Sequence, residues 1–97
     1  MPTYITLINW TGEGVKKVKD SPKRLEAAKK LFKAAGGNLK NFYLVMGQYD
    51  IVVVSEAPND ETASRIALSI ASRGAARTQT LRAFTETEYK KIVRSVM

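Results

Sequence analysis

The centre of the chain reads Phe42-Tyr43-Leu44-Val45-Met46-Gly47-Gln48-Tyr49-Asp50-Ile51-Val52-Val53-Val54. Two runs of strand-forming residues meet at a glycine, and a tyrosine–aspartate pair opens the second run. Glycine supplies the positive φ that a reverse turn needs, and aspartate can accept backbone N–H groups to lock it. The stretch therefore predicts an antiparallel hairpin with strands over 39–46 and 49–57. Val52, Val53 and Val54 are continuous rather than alternating, which predicts a central strand covered on both faces.

On the N-terminal side, Thr3 to Trp10 alternates as a strand. Tyr4, Thr6, Ile8 and Trp10 share one face; Ile5, Leu7 and Asn9 share the other. Thr11 suits a helix N-cap, with Trp10 and Val15 spaced as a hydrophobic staple and Val15 and Val18 expected to turn inward. Ser21-Pro22 reads as a second helix start, so a break is expected near residue 20 and a longer helix over about 22–35. Leu25, Ala28, Leu31, Phe32 and Ala35 make its apolar stripe, ended by Gly36-Gly37.

On the C-terminal side, Pro58-Asn59-Asp60 breaks the sheet, with Asn59 as cap. Ala63, Ile66, Ala67, Ile70 and Ala71 recur at three and four residues, the spacing of a helix packed on a sheet. Ala76 to Phe84 is the fourth strand, with Thr78, Thr80, Arg82 and Phe84 on one face. Thr85-Glu86-Thr87-Glu88 is a capping box that starts a short final helix, with Tyr89, Ile92, Val93 and Val96 expected on its inner side.

The resulting order is βαββαβ plus a terminal helix: an α+β, ferredoxin-like fold with a four-stranded antiparallel sheet and two helices on one face. The first and fourth strands are neighbours in that arrangement. Tyr4, Thr6, Ile8, Thr78, Thr80 and Phe84 are accordingly expected to converge on the open face. An apolar patch of that size predicts a covering partner, and a second copy of the chain fits it best. The whole of 1–97 is expected to form one domain, since 97 residues leave no room for two.

Composition narrows the chemistry. There is no cysteine, so disulfides and thiolate chemistry are excluded, and no histidine, which removes the commonest general base and transition-metal ligand. No metal site or cofactor is expected. The residues Met1-Pro2-Thr3-Tyr4 lack the pattern of a secretory signal, and no apolar run approaches the about 18 residues of a membrane span, so a cytoplasmic protein is expected. The net charge of +7 is concentrated between Lys16 and Lys40. It is read as a solvated helix face rather than a nucleic-acid footprint. RNA-recognition modules share this topology, but their aromatic signature on the third strand is absent: Tyr49-Asp50-Ile51-Val52-Val53-Val54-Ser55-Glu56 offers one aromatic and two acids.

Several segments resemble the GYD domain family. They are Pro2 to Thr11, Lys19-Asp20-Ser21-Pro22-Lys23-Arg24, Phe42 to Asp50, and Arg77-Thr78-Gln79-Thr80-Leu81-Arg82-Ala83-Phe84-Thr85. The Gly-Tyr-Asp that names the family is interrupted here by Gln48. The resemblance implies a ferredoxin-like domain of the dimeric α/β-barrel type and brings no catalytic residues with it. The segment from Gly47 to Val54 and Thr78-Gln79-Thr80 also resemble the effector-binding domains of Lrp/AsnC-type regulators, which dimerise and bind amino acids. The reading is a homo-oligomeric, non-enzymatic module that binds a small molecule at a sheet–helix or subunit-interface pocket. Asn9, Trp10, Tyr43, Tyr49, Asp50 and Arg82 are its candidate ligand residues, with Asn9 on the helix-facing side. The alternatives are a cofactor-independent enzyme of the dimeric α/β-barrel type and, behind it, an RNA-binding module.

Overall fold

The computed structural model describes every residue from Met1 to Met97. Its elements are β1 (Thr3–Trp10), α1 (Gly12–Lys16), a 3₁₀ turn (Val18–Asp20), α2 (Ser21–Ala34), β2 (Asn38–Leu44), β3 (Ile51–Glu56), α3 (Asp60–Ala71), β4 (Ala76–Ala83) and α4 (Glu86–Arg94). The four strands form one antiparallel sheet in the order β2-β3-β1-β4. This is the expected ferredoxin-like α+β arrangement. In it β1 is central, with Thr6 facing Val53 on one side and Thr80 on the other.

Local signals act largely where expected. Thr11 caps α1 by accepting from the Gly14 N–H at 3.1 Å, and Asn59 caps α3 by accepting from the Thr62 N–H at 2.9 Å. The capping box of α4 is complete, with the Glu88 N–H donating to Thr85 Oγ1 at 3.2 Å and the Thr85 N–H to Glu88 Oε1 at 2.9 Å. The Thr85 N–H, then the Thr85 hydroxyl, hold the Glu88 carboxyl below its usual pKa. The start of α2 differs: Ser21 is its first helical residue, and Asp20 occupies the cap position with no side-chain bond. The preceding 3₁₀ turn already directs the chain, so a capping side chain is dispensable there.

Side-chain burial corrects the assignment of the two sheet faces. The helices cover the face that carries Tyr4 and Ile8, which are 3% and 8% exposed, together with Ile51, Val53 and Ser55. Phe32 of α2 and Ala63 and Ile66 of α3 close the layer from above. Tyr4, Thr6, Ile8, Thr78 and Thr80 therefore lie on the helix side, not on an open face, and Tyr4 and Ile8 are core residues rather than interface residues. Both faces of β1 are apolar, so alternation alone did not distinguish them. The bulkier face fills the roughly 10 Å between stacked layers. Phe84 lies just beyond β4, 54% exposed, with the Arg82 guanidinium 4.5 Å from its ring centroid.

Three further expectations are corrected. The valines of β3 are not covered on both sides within one chain: Val53 is buried, whereas Val52 and Val54 are half-buried on the uncovered face. Val15 and Val18 stay exposed, because α1 and the 3₁₀ turn are too short to lay an apolar face on the sheet. The apolar side of α4 is also unpacked. Tyr89, Ile92 and Val93 are 59%, 45% and 49% exposed, and no residue of α4 is buried. The Cα radius of gyration, 14.5 Å, exceeds the about 13 Å of a compact chain of 100 residues, as expected for a helix that does not fold back on the body.

Two glycines are required by close packing. A Cβ on Gly37 would lie 2.3 Å from the Glu56 carbonyl oxygen, and Gly14 is tighter still. A Cβ on Gly14 would lie 1.9 Å from the Ala75 carbonyl oxygen, so only glycine lets α1 approach the α3–β4 connection. The Thr11 N–H donates to the same carbonyl at 3.1 Å, and Thr11 Oγ1 donates to the Gly74 carbonyl at 2.6 Å. These contacts join the end of β1 to the start of β4 above the sheet.

Candidate functional site

The hairpin connection between β2 and β3 spans residues 45–50. Gly47 adopts φ +116° with open space around it, so glycine is there for backbone conformation alone. Asp50 ties this loop to β1. Its N–H donates to the Ile8 carbonyl, its Oδ2 accepts the Trp10 N–H, and its carbonyl accepts the Val45 N–H, each at 2.9 Å. The carboxylate stands in for a ladder partner where β3 has not yet begun, and so holds the position of Trp10. Tyr49 reaches in the other direction and donates its hydroxyl to Gln79 Oε1 at 3.0 Å.

The candidate ligand residues separate onto different surfaces. Asn9 lies on the face the helices leave uncovered, paired in register with Arg77, and not on the helix-facing side. Tyr43, paired with Val52, is 54% exposed on that same uncovered face. Trp10 belongs to the helix side. Arg82 is on the helix side as well, but at the sheet edge, with its guanidinium 5.8 Å from the Tyr4 ring centroid. They do not form one constellation, because neighbours in a strand point to opposite faces.

The structure instead presents two other features. The first is a cavity of about 110 Å³ between the sheet and the helix layer. Ile8, Ile51 and Val53 supply its floor, and Leu25, Phe32, Ile66 and Ile70 its roof. Thr6, Trp10, Thr78 and Thr80 complete the β1–β4 side. The charged residues lining it are Arg24 and Arg73; no carboxylate lines it. Arg24 is half-buried and donates through Nη1 to the Lys17 carbonyl at 3.1 Å and through Nη2 to the Gly14 carbonyl at 3.3 Å. At the far end of β1, the Tyr4 hydroxyl donates to Asp60 Oδ1 at 2.5 Å. Burial first, then this bond to the Asp60 carboxylate, push the Tyr4 pKa up to about 12. Tyr4 is thus a hydrogen-bond donor rather than a base at neutral pH.

The second feature is the uncovered face of the sheet. Register places Ile5 and Leu7 of β1 beside Val54 and Val52 of β3, with Leu81 and Gln79 of β4 on their other flank. The side chains are half-buried along β1 and β3 and more exposed at β4.

Arg24 and Arg73 were missed in the sequence, where Arg24 merged with the basic stripe. Helical spacing carried the signal: Arg24, Ala28 and Phe32 recur every four residues, and Ile66, Ile70 and Arg73 at four and three. Arg24 prolongs the apolar stripe of α2 and is half-buried, whereas Arg73 lines the cavity from an exposed turn two residues past the end of α3. No three side chains of the histidine, cysteine or carboxylate type come together in the structure, and no helix is long and apolar enough to cross a membrane.

Comparison with known proteins agrees with the order of elements. The chain is 38% identical over 84 residues to the "glutamine synthetase and cystathionine beta-lyase binding protein" of Thermus thermophilus, covering 86% of this chain and 88% of that one. A crystal structure of another description from Thermus thermophilus matches with a TM-score of 0.56 and 25% identity, over 88% of this chain and 95% of its own. The feast or famine regulatory protein of M. tuberculosis, solved with L-methionine, matches with a TM-score of 0.67 at 15% identity. This match covers 88% of the present chain and 51% of the regulator, a likeness of fold alone. The family model described as the GYD domain matches residues 4–93, so the chain belongs to the GYD domain family.

Proposed function

We propose that this chain is a self-associating, non-catalytic binding module. Its uncovered sheet face pairs with a second copy, and its sheet–helix cavity receives a small molecule. The observation that carries the binding reading is the cavity: a partly open, apolar recess of about 110 Å³ between sheet and helices in a chain of only 97 residues. Interiors normally close-pack, and an unfilled space of this size costs stability. The cavity is of the order of one that accommodates a single small ring.

Self-association is supported by the stripe Ile5, Leu7, Val52, Val54 and Leu81, which no element of the same chain covers. Four strands of about six residues span roughly 20 Å by 20 Å. That is small against the about 800 Å² per partner of a stable interface. The exposed apolar side of α4, with Tyr89, Ile92 and Val93, supplies further area of the same character. A nine-residue helix is marginal in water without tertiary support, which favours α4 packing on the partner. Asn9, Tyr43 and Tyr49 would then belong to this interface, and Asp50 would act as a scaffold residue that positions Trp10. Association in trans with metabolic enzymes, of the kind named for the Thermus relative, is the third part of the reading. The exposed polar surface of α2 and α3 would remain available for it.

Light scattering of the purified protein tests the assembly: a mass of twice 10.8 kDa or a higher multiple is expected. A monomeric mass at micromolar concentration would overturn it. Biolayer interferometry with purified glutamine synthetase and cystathionine β-lyase tests the partners, and saturable binding to neither would remove that part.

A further inference from the structure

We infer that the sheet–helix cavity takes a small apolar monocarboxylate, with its hydrocarbon part over the floor of Ile8 and Val53 and its carboxylate at Arg24 and Arg73. The inference rests on the proposal that the cavity is a binding site, and adds the class of ligand.

The charge pattern is the first argument. Sixteen of the twenty-three residues around the cavity are hydrophobic, and the ionised groups among the remainder are both cationic. Asp50 and Asp60, the acids tied to β1, are engaged by the Trp10 N–H and the Tyr4 hydroxyl, and neither lines the cavity. An ammonium group would find no counter-charge there, and a purely hydrocarbon ligand would leave the half-buried Arg24 guanidinium without an anion.

Pre-orientation of Arg24 is the second argument. Its two bonds run to the main-chain carbonyls of Gly14 in α1 and Lys17 just after it, which orient the guanidinium without neutralising it. All four ion pairs in the structure involve lysine, so neither Arg24 nor Arg73 is paired with a carboxylate. Capping the end of α1 accounts for two of the five N–H groups of Arg24. It does not account for a second arginine at the same cavity. A fork of fixed N–H donors matches a carboxylate in two-point contact.

Placement is the third argument. Arg73 follows α3 by two residues, and Arg24 sits in the first turn of α2. The bonds from Thr11 to Gly74 and Ala75 and the close approach of Gly14 draw the α1–α2 segment onto the α3–β4 connection. The two arginines are thereby carried to the same end of the cavity as Trp10, whose register partner is Ala76. The opposite arrangement, with arginines at separate ends, would not favour a single charge.

The test is titration of the full chain with phenylacetate, its neutral amide phenylacetamide, and acetate, following isoleucine methyl resonances and Trp10 fluorescence. Phenylacetate is expected to shift the Ile8, Ile66 and Ile70 methyls saturably and to bind at least tenfold tighter than the amide or acetate. Arg73→Gln, at an exposed position that leaves the fold intact, is expected to weaken phenylacetate about fivefold and leave the amide unchanged. Arg24→Lys, which keeps the charge but loses the fork, is expected to weaken it less than Arg24→Gln. Equal affinity for phenylacetate and phenylacetamide would overturn the carboxylate assignment while leaving the cavity a binding site. No methyl shift with either compound, nor with xenon under pressure, would overturn both.

Discussion

The two faces of the sheet are built from the same strands but solve burial in different ways. On the helix side, Tyr4, Ile8, Ile51 and Val53 are buried within one chain, and Phe32, Ala63 and Ile66 come down to meet them. On the other side, Ile5, Leu7, Val52 and Val54 are partly shielded only by their neighbours in the sheet. The first face is a core with a chamber left in it. The second has aliphatic residues, a polar border of Asn9, Arg77, Gln79 and Glu56, and no layer above it. A face with apolar centre and polar rim is organised like a protein interface rather than a solvated surface.

Substitutions on the two faces should therefore report through different measurements. The largest loss of folding stability belongs to the covered face. Ile66 is 2% exposed, and Ile66→Ala should cost about 2–5 kcal/mol in urea unfolding, because both transfer energy and packing are lost. A cost below about 1 kcal/mol would mean that α3 is not seated on the sheet.

A smaller effect is expected at the Tyr4–Asp60 bond. Tyr4→Phe should lose about 1 kcal/mol at neutral pH, the usual net worth of one hydrogen bond. It should also flatten the alkaline limb of the stability profile. The unfolded tyrosine releases its proton near 10.0, whereas the folded one holds it to about 12. Its contribution is therefore complete below pH 10 and is lost as pH rises through 12. The difference between wild type and Tyr4→Phe, measured by chemical unfolding at pH 8, 10 and 12, should shrink or reverse across that window. A constant difference would place Tyr4 in solvent rather than in the core.

The smallest effect on the folded monomer is expected on the uncovered face. Leu7→Glu should change the stability of the isolated chain by about 0.5 kcal/mol or less, since the side chain gains access to water. The same change should reduce the assembled mass to that of one chain by light scattering. A loss of several kcal/mol without a change in mass would show that this face is core, and would collapse the contrast.

Much of this architecture is legible in the linear chain. Thr11, Asn59 and Thr85 each cap the helix they precede, because a short polar side chain can satisfy a free N–H with no help from distant residues. Gly47 turns for the equally local reason of its positive φ. Ser21 is the exception among the starts, since the 3₁₀ turn before it had already set the direction. The candidate ligand set fared otherwise. Asn9 and Trp10 are adjacent in sequence and lie on opposite faces, and Arg24 was hidden among lysines although its spacing pointed inward.

The order of strands and helices, and hence the ferredoxin-like topology, follows from hydrophobic periodicity, capping residues and turn chemistry, all of which act over a few residues. Which sheet face the helices cover does not follow from these. Alternation with period two marks two sets of β1 residues, Tyr4, Thr6, Ile8 and Trp10 against Ile5, Leu7 and Asn9, and both are apolar. The choice belongs to the side chains that α2 and α3 bring down from elsewhere in the chain. The same long-range packing leaves the cavity, brings Arg24 and Arg73 to its lining, and leaves the far side of the sheet uncovered.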